Sequence, residues 1–135
     1  MSGRDPMTVG CGHERDLLSD RVWWLAFYGV PIATLLVTGG IGGWTRLTVA
    51  WPLALAVMGV ACLANARRCG RVHCFFTGPF FLLLAAASLL YGLHLLPIGP
   101  NGWEVLGEGA LVGAVVLSFA PERIWGPYFE TRSDR

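Results

Sequence analysis

Hydrophobic residues lie in four long runs along this chain, and charged residues gather at the ends of those runs. Each run is long enough to cross the hydrocarbon core of a bilayer as a helix, which takes roughly 20 residues. Backbone groups in lipid must be paired within their own segment, which favours helices. The pattern predicts an all-α fold, an integral membrane four-helix bundle. The predicted spans are residues 22–43, 47–66, 79–97 and 103–120.

Prolines set several of the expected helix ends. Pro79 is expected as the first residue of the third helix, with Thr77 or Gly78 as its cap. Pro121 is expected to stop the fourth helix. Pro31 lies within the first run, where it would kink the helix unless a neighbour satisfies the freed carbonyl.

The composition agrees with a membrane protein of one domain. Of the 135 residues, 54% are hydrophobic and only 14% are charged, and mean hydropathy is +0.55. An ordinary soluble domain is less apolar and more charged. The net charge of +1 gives no support to a nucleic-acid partner. The spans form a domain at 22–120, between a polar N-terminal segment at 1–21 and a tail at 121–135.

Arginines predict the orientation of the spans. Four spans place both termini and the loop between spans two and three on one side of the membrane. Nine arginines fall on that side, and the other side has only Arg46. Because loops rich in arginine stay inside the cell, both termini and this loop are expected to be cytoplasmic, in the inner (plasma) membrane. The nine are Arg4, Arg15, Arg21, Arg67, Arg68, Arg71, Arg123, Arg132 and Arg135.

Sulfur and imidazole groups are concentrated at this cytoplasmic side. Cys69, His73 and Cys74 lie within six residues of one another, and Cys11 and His13 are expected on the same side. Thiolate and imidazole ligands suit Hg²⁺, Cu⁺ and Zn²⁺. The neighbouring arginines would favour the thiolate form. The alternative is that the arginines only determine topology and the cysteines only fill space at a helix end.

Cys62 extends this set towards the membrane. If the second helix continues to Cys69, then Cys62, Asn65 and Cys69 lie on one helix face. A soft ion could then pass between thiols by ligand exchange. The alternative is a buried structural cysteine, with Asn65 bonding a neighbouring helix.

Three ionisable residues are expected at the other side. His94 is predicted on the third helix, and Glu104 and Glu108 on the fourth, one turn apart. Such groups in a membrane usually face a bundle interior or a water-filled path, so they predict a mouth that receives a cation or proton. Alternatively, Glu104 interacts with the helix dipole and Glu108 pairs with His94 as packing.

The stretch from Asn65 to Pro79, NARRCGRVHCFFTGP, resembles a pattern found in small prokaryotic membrane proteins. More broadly, the chain is similar to the small inner-membrane mercury transporters of the Mer type, with few spans, cysteines in a helix and further cysteines on the cytoplasmic side. The resemblance implies uptake of Hg²⁺ and transfer to a cytoplasmic thiol acceptor protein, with Cys69 and Cys74 in the transfer role. Residues 22–43 lack the adjacent Cys-Cys pair of that family.

These observations favour a non-enzymatic membrane protein that binds and transports a soft metal ion. Its expected partners are the lipid bilayer, the ion, a thiol acceptor and further copies of the chain, and no resident cofactor beyond a bound metal is expected. Two alternatives remain. One is an accessory subunit of a membrane complex, which would co-purify with a stoichiometric partner. The other is a membrane thiol oxidoreductase, which would form a disulfide between Cys69 and Cys74.

Overall fold

A computed structural model describes residues 21–41, 43–70 and 72–125 of the chain. The described residues form helices and turns, with no strand among them. The helices are α1 (Arg21–Ile41), α2 (Trp44–Cys69), α3 (Val72–Gly92) and α4 (Gly102–Trp125). Each is long and apolar enough to cross a membrane. The all-α prediction is therefore confirmed, and the four apolar helices are compatible with a transmembrane bundle.

Two helix ends that were predicted from proline positions are wrong. The third helix begins at Val72 and contains Pro79, so Thr77 and Gly78 are buried helical residues and not caps. It also ends at Gly92, before the predicted limit at residue 97. The fourth helix continues through Pro121 to Trp125. Long apolar helices tolerate internal proline because neighbouring groups and local changes of helix type compensate for the lost hydrogen bond.

The proline in α1 shows one such local change. Residues Leu25–Gly29, just before Pro31, are π-helical, and the Val30 amide donates to the Leu25 carbonyl. A π-turn accommodates an extra residue per turn. The helix resumes as an α-helix at Val30 and continues through the buried Pro31 to Ile41. The proline thus changes the helix type locally without ending the span.

The centre of the fold is an antiparallel hairpin of α2 and α3, which share the most extensive helix contact. The two helices approach each other closely at Gly59 and Gly78. A Cβ built on Gly59 would lie 3.0 Å from the Gly78 carbonyl oxygen, and one built on Gly78 would lie 2.7 Å from Cγ of Leu63. Small residues allow membrane helices this close approach.

The hairpin turn is short. Gly70 follows α2 in a left-handed conformation with φ of 62°, and its amide donates to the Ala66 carbonyl at 2.8 Å. A glycine here caps the helix without the steric cost that a Cβ would bring. The predicted spans left residues 67–78 as a loop, but α2 continues to Cys69 and α3 begins at Val72.

The outer helices flank this hairpin, α1 against α2 and α4 against α3. Trp51 links the two sides, since its indole donates to Thr38 of α1 at 3.2 Å and its ring lies 5.5 Å from that of Trp103 in α4. In the most apolar 18-residue segment of α2, 44% of the residues are buried. In the corresponding segment of α4 only 6% are buried. The exposed surface is rich in large apolar side chains, as a lipid-facing surface requires.

Candidate thiol site

Two cysteines from the two central helices meet near the hairpin turn. Cys62 of α2 is 1% exposed and Cys74 of α3 is 0% exposed, and both are free thiols. They belong to one buried cluster with Ala66. Cys62 is one helical turn from Gly59, and Cys74 is one turn from Gly78. The close glycine crossing therefore brings the two helix faces that carry sulfur together.

Polar side chains contact both sulfur atoms. The Tyr28 hydroxyl of α1 lies 2.6 Å from Sγ of Cys62, and either atom can donate. The Asn65 amide nitrogen donates to Sγ of Cys74 at 4.0 Å, a long contact with a weak acceptor. Asn65 is fully buried. Its Oδ1 and the Thr77 hydroxyl have no hydrogen-bond partner within the described part of the chain, so these oxygens are available to a ligand.

A histidine and a glutamate lie next to the thiols, closer to the helix ends. His73 Nδ1 and Glu122 Oε1 are joined by a hydrogen bond of 2.6 Å between α3 and the last turn of α4. His73 directly precedes Cys74 in α3. Relative exposure is 17% for the His73 side chain and 35% for that of Glu122. This pair therefore connects the buried sulfur atoms with the exposed end of the bundle.

The structure brings part of the predicted ligand set together. Cys62, His73 and Cys74 are neighbours, and α2 does continue to Cys69, as the one-face hypothesis required. The side chain of Cys69 and all of Cys11 and His13 lie outside the described residues. Within the part that is described, no group of three His, Cys, Asp or Glu side chains is arranged to hold a metal ion. The described site is therefore a thiol pair with a histidine beside it.

The predicted His/Glu mouth at the other end is not assembled. His94 is wrong as a helical residue, because α3 ends at Gly92 and His94 lies in the following turn with φ of 59°. Its exposed ring stacks on Trp44 at a centroid distance of 4.8 Å. Glu104 and Glu108 are both exposed, and no described hydrogen bond or ion pair links either to His94. The alternative pairing of Glu108 with His94 is therefore wrong as well.

Tyr28 and Glu122 were missed by the sequence reasoning. Glu122 was assigned to the tail because Pro121 was expected to end α4, although an antiparallel α4 that continued would end beside the start of α3. Tyr28 is the one tyrosine in the first apolar run, and its hydroxyl has a hydrogen-bond partner in Cys62. A buried tyrosine hydroxyl normally needs a hydrogen-bond partner, and this need was the available signal.

The arrangement suits soft-metal chemistry better than hard-metal chemistry. Sulfur is the ligand that Hg²⁺ and Cu⁺ prefer, and both ions accept two-coordinate binding by thiolates. The surroundings are apolar apart from Tyr28, Asn65, Thr77 and the His73–Glu122 pair. Two thiolates around a divalent ion carry no net charge, so such a complex would leave no uncompensated charge in this pocket.

Comparison with known proteins identifies no relative of this chain. No protein-family model matches the chain, and neither does any curated protein or solved structure.

Proposed function

We propose that this chain is a multi-pass membrane protein that binds a soft metal ion between Cys62 and Cys74 and transports it towards a cytoplasmic thiol acceptor. The observation that supports the proposal best is the meeting of two free, buried thiols from two apolar helices. Single buried cysteines are ordinary core residues. A facing pair with a tyrosine, an asparagine and a histidine around it is a much more specific arrangement.

The number of ligands favours Hg²⁺ and Cu⁺ over Zn²⁺. Structural zinc sites have four ligands and catalytic ones have three plus water. No three-ligand group exists among residues 21–41, 43–70 and 72–125. The dithiolate complex of Hg²⁺ is neutral, whereas that of Cu⁺ keeps one negative charge. Burial of the pair therefore makes Hg²⁺ the favoured ion.

The positions of the arginines support a cytoplasmic location for the thiol end. Arg21, Arg67, Arg68 and Arg123 are exposed at the bundle end where α1 begins and α2 and α4 finish. Arg46 is the single arginine of the opposite end within the described residues. Positive charge on the cytoplasmic side of the inner membrane is the usual arrangement, and it places Cys74 close to the compartment that holds thiol acceptors.

Metal binding can be tested on a chain that contains only the proposed pair. The reference variant, Cys11→Ser/Cys69→Ser, keeps Cys62 and Cys74 and is titrated with Hg²⁺ in detergent micelles. Ultraviolet absorption of the sulfur–mercury bond should saturate at one ion per chain. Adding Cys62→Ser to the reference should abolish tight binding, because one thiolate cannot complete the site. Equal binding by this triple variant, or no binding by the reference, would refute the proposal.

Transport needs a separate measurement in cells. Expression of the wild-type chain should increase both Hg²⁺ uptake and sensitivity to Hg²⁺, and Cys62→Ser/Cys74→Ser should remove the increase. The variant must reach the membrane at the wild-type level for the comparison to hold. Loss of binding in micelles with unchanged uptake in cells would contradict a transport role for the pair.

A thiol oxidoreductase is the second candidate, because the same two thiols belong to one buried cluster. In that reaction the two thiols would form one disulfide and pass two electrons and two protons to a quinone. For this candidate we propose Cys62 and Cys74 as the redox pair, because they share one buried cluster, in addition to the Cys69–Cys74 pair expected from the sequence. Addition of a soluble quinone without metal, followed by alkylation and mass measurement, distinguishes the two functions. Rapid quantitative formation of the disulfide would favour the oxidoreductase.

A further inference from the structure

Helix α4 presents two exposed glutamates, Glu104 and Glu108, at the start of an otherwise apolar outer face. Glu108 is exposed and is followed on the same face by Leu111, Val112, Val115 and Phe119. The spacings of three, four, seven and eleven residues from Glu108 place all five side chains in one stripe. Ionisable side chains within a membrane span normally face protein or water, because lipid cannot solvate them. This face thus has the composition of a contact surface with negative charge at one end.

Helix α2 presents a complementary outer face. An apolar groove of about 370 Å³ lies against it and is lined by Phe27 of α1 and a series of α2 residues. Three of its six α2 residues are alanine, and no polar surface lines it. Arg46 lies on the same face of α2, nearer its N-terminus, and is exposed. The α2 residues of the groove are Leu53, Ala56, Val57, Val60, Ala61 and Ala64.

The two surfaces are at matching depths. Helices α2 and α4 begin at the same end of the bundle, where the rings of Trp44 and Trp103 lie 5.7 Å apart. Arg46 is the third residue of α2, and Glu108 is the seventh of α4. At 1.5 Å per residue these levels differ by about 6 Å, which an arginine side chain can bridge. Further along, Leu111 and Phe119 fall at the levels of Leu53 and Ala61.

We propose that a second copy of this chain occupies the groove, with its α4 stripe against α2 and its Glu108 carboxylate on Arg46. Charge complementarity selects this occupant, since Arg46 is the one arginine at that end of the described chain. Copies inserted in one membrane share one orientation, so the matching depths hold between neighbours. The inference depends on the membrane placement proposed above and not on metal binding.

The contact joins different surfaces of the two copies. Each chain offers α4 to one neighbour and α2 to another, which is a head-to-tail arrangement. Such contacts close into rings when the rotation between copies allows it. In the membrane plane the copies form a ring if this rotation closes and an open row if it does not, with a thiol pair in each copy.

A charge exchange tests the contact directly. The dissociation constant of the assembly is measured in lipid vesicles by energy transfer between differently labelled copies. Glu108→Arg and Arg46→Glu should each weaken association at least about tenfold, equivalent to 1.4 kcal/mol. The double variant Glu108→Arg/Arg46→Glu should restore association to near the wild-type value. Thr45→Glu, on the same turn as Arg46 but another face, is the matched control and should leave association unchanged.

Three results would overturn the inference: a monomeric wild-type chain, single reversals with no effect, or a double variant that stays dissociated. Co-purification of a different stoichiometric protein with a monomeric chain would also overturn it. Helicity and Hg²⁺ titration of every variant show whether the fold and thiol pair survive. Normal Hg²⁺ binding with no association defeats this inference alone, and normal association without Hg²⁺ binding defeats only the metal function.

Discussion

The close crossing of α2 and α3 predicts that one added methyl group at Gly59 disturbs both stability and metal binding. In Gly59→Ala the new Cβ would lie 3.0 Å from the Gly78 carbonyl oxygen and 2.9 Å from Cγ of Leu82. A backbone oxygen cannot rotate away, so the helices must separate. Overpacking of this kind costs about 1–3 kcal/mol.

The same substitution also has a favourable effect, which a control must remove. Alanine is preferred over glycine within a helix by about 1 kcal/mol. Gly40→Ala is the matched control, because Gly40 is helical and a Cβ there has no atom within 4 Å. We expect Gly59→Ala to be less stable than Gly40→Ala by about 1–3 kcal/mol, the cost of overpacking alone.

The assay is equilibrium unfolding of both variants in the same mixed micelles, together with Hg²⁺ titration. Cys62 and Cys74 are each one turn from the crossing, so separation of the helices should move the sulfur atoms apart and weaken Hg²⁺ binding in Gly59→Ala. The control should bind Hg²⁺ as wild type does. If the two variants have equal stability and equal affinity, the crossing does not set the sulfur positions.

Two further predictions concern the polar groups around the thiols. Tyr28→Phe removes the hydroxyl that contacts Cys62, and the lost hydrogen bond should lower the free energy of unfolding by about 0.5–1.5 kcal/mol; an unfolding curve identical to wild type would contradict this contact. Glu122→Ala breaks the link between His73 and the end of α4, so amide hydrogens in the last turn of α4 should exchange faster while those of α2 are unchanged. Glu122→Gln, which keeps a hydrogen-bond acceptor, should have a smaller effect, and equal exchange rates in all three proteins would show that this pair does not hold the helix end.

Hydropathy predicted the number and type of helices well because lipid imposes one requirement on every span. A backbone in hydrocarbon must pair its own polar groups, so length and apolarity identify the helices. The ends were harder to predict. In soluble proteins Pro79 and Pro121 would mark helix boundaries, but here both are internal. Applying the proline rules of soluble helices made the predicted α3 begin too late and the predicted α4 end too early. Glu122 was therefore not recognised as part of α4.

The candidate site was predicted in part for a related reason. The cysteines and His73 are recognisable by residue type alone, and helical spacing correctly placed Cys62 and Asn65 on one face. Which cysteine meets which depends on the glycine crossing and on the length of the turn, and neither leaves a periodic signal. The position of His94 depends on where α3 ends, a boundary that apolar residues continuing to Pro97 obscure.

The shortness of the turn at Gly70 has a consequence for assembly. Cys62 and Cys74 are close in sequence as well as in space, so their meeting requires only the α2–α3 hairpin. Contacts between nearby segments form with little loss of chain entropy, and the hairpin can pair before α4 has been synthesised. One residue inserted in α2 between Gly59 and Cys62 would instead rotate Cys62 by about 100° about the helix axis relative to the glycine crossing, at 3.6 residues per turn, and would turn its sulfur away from Cys74.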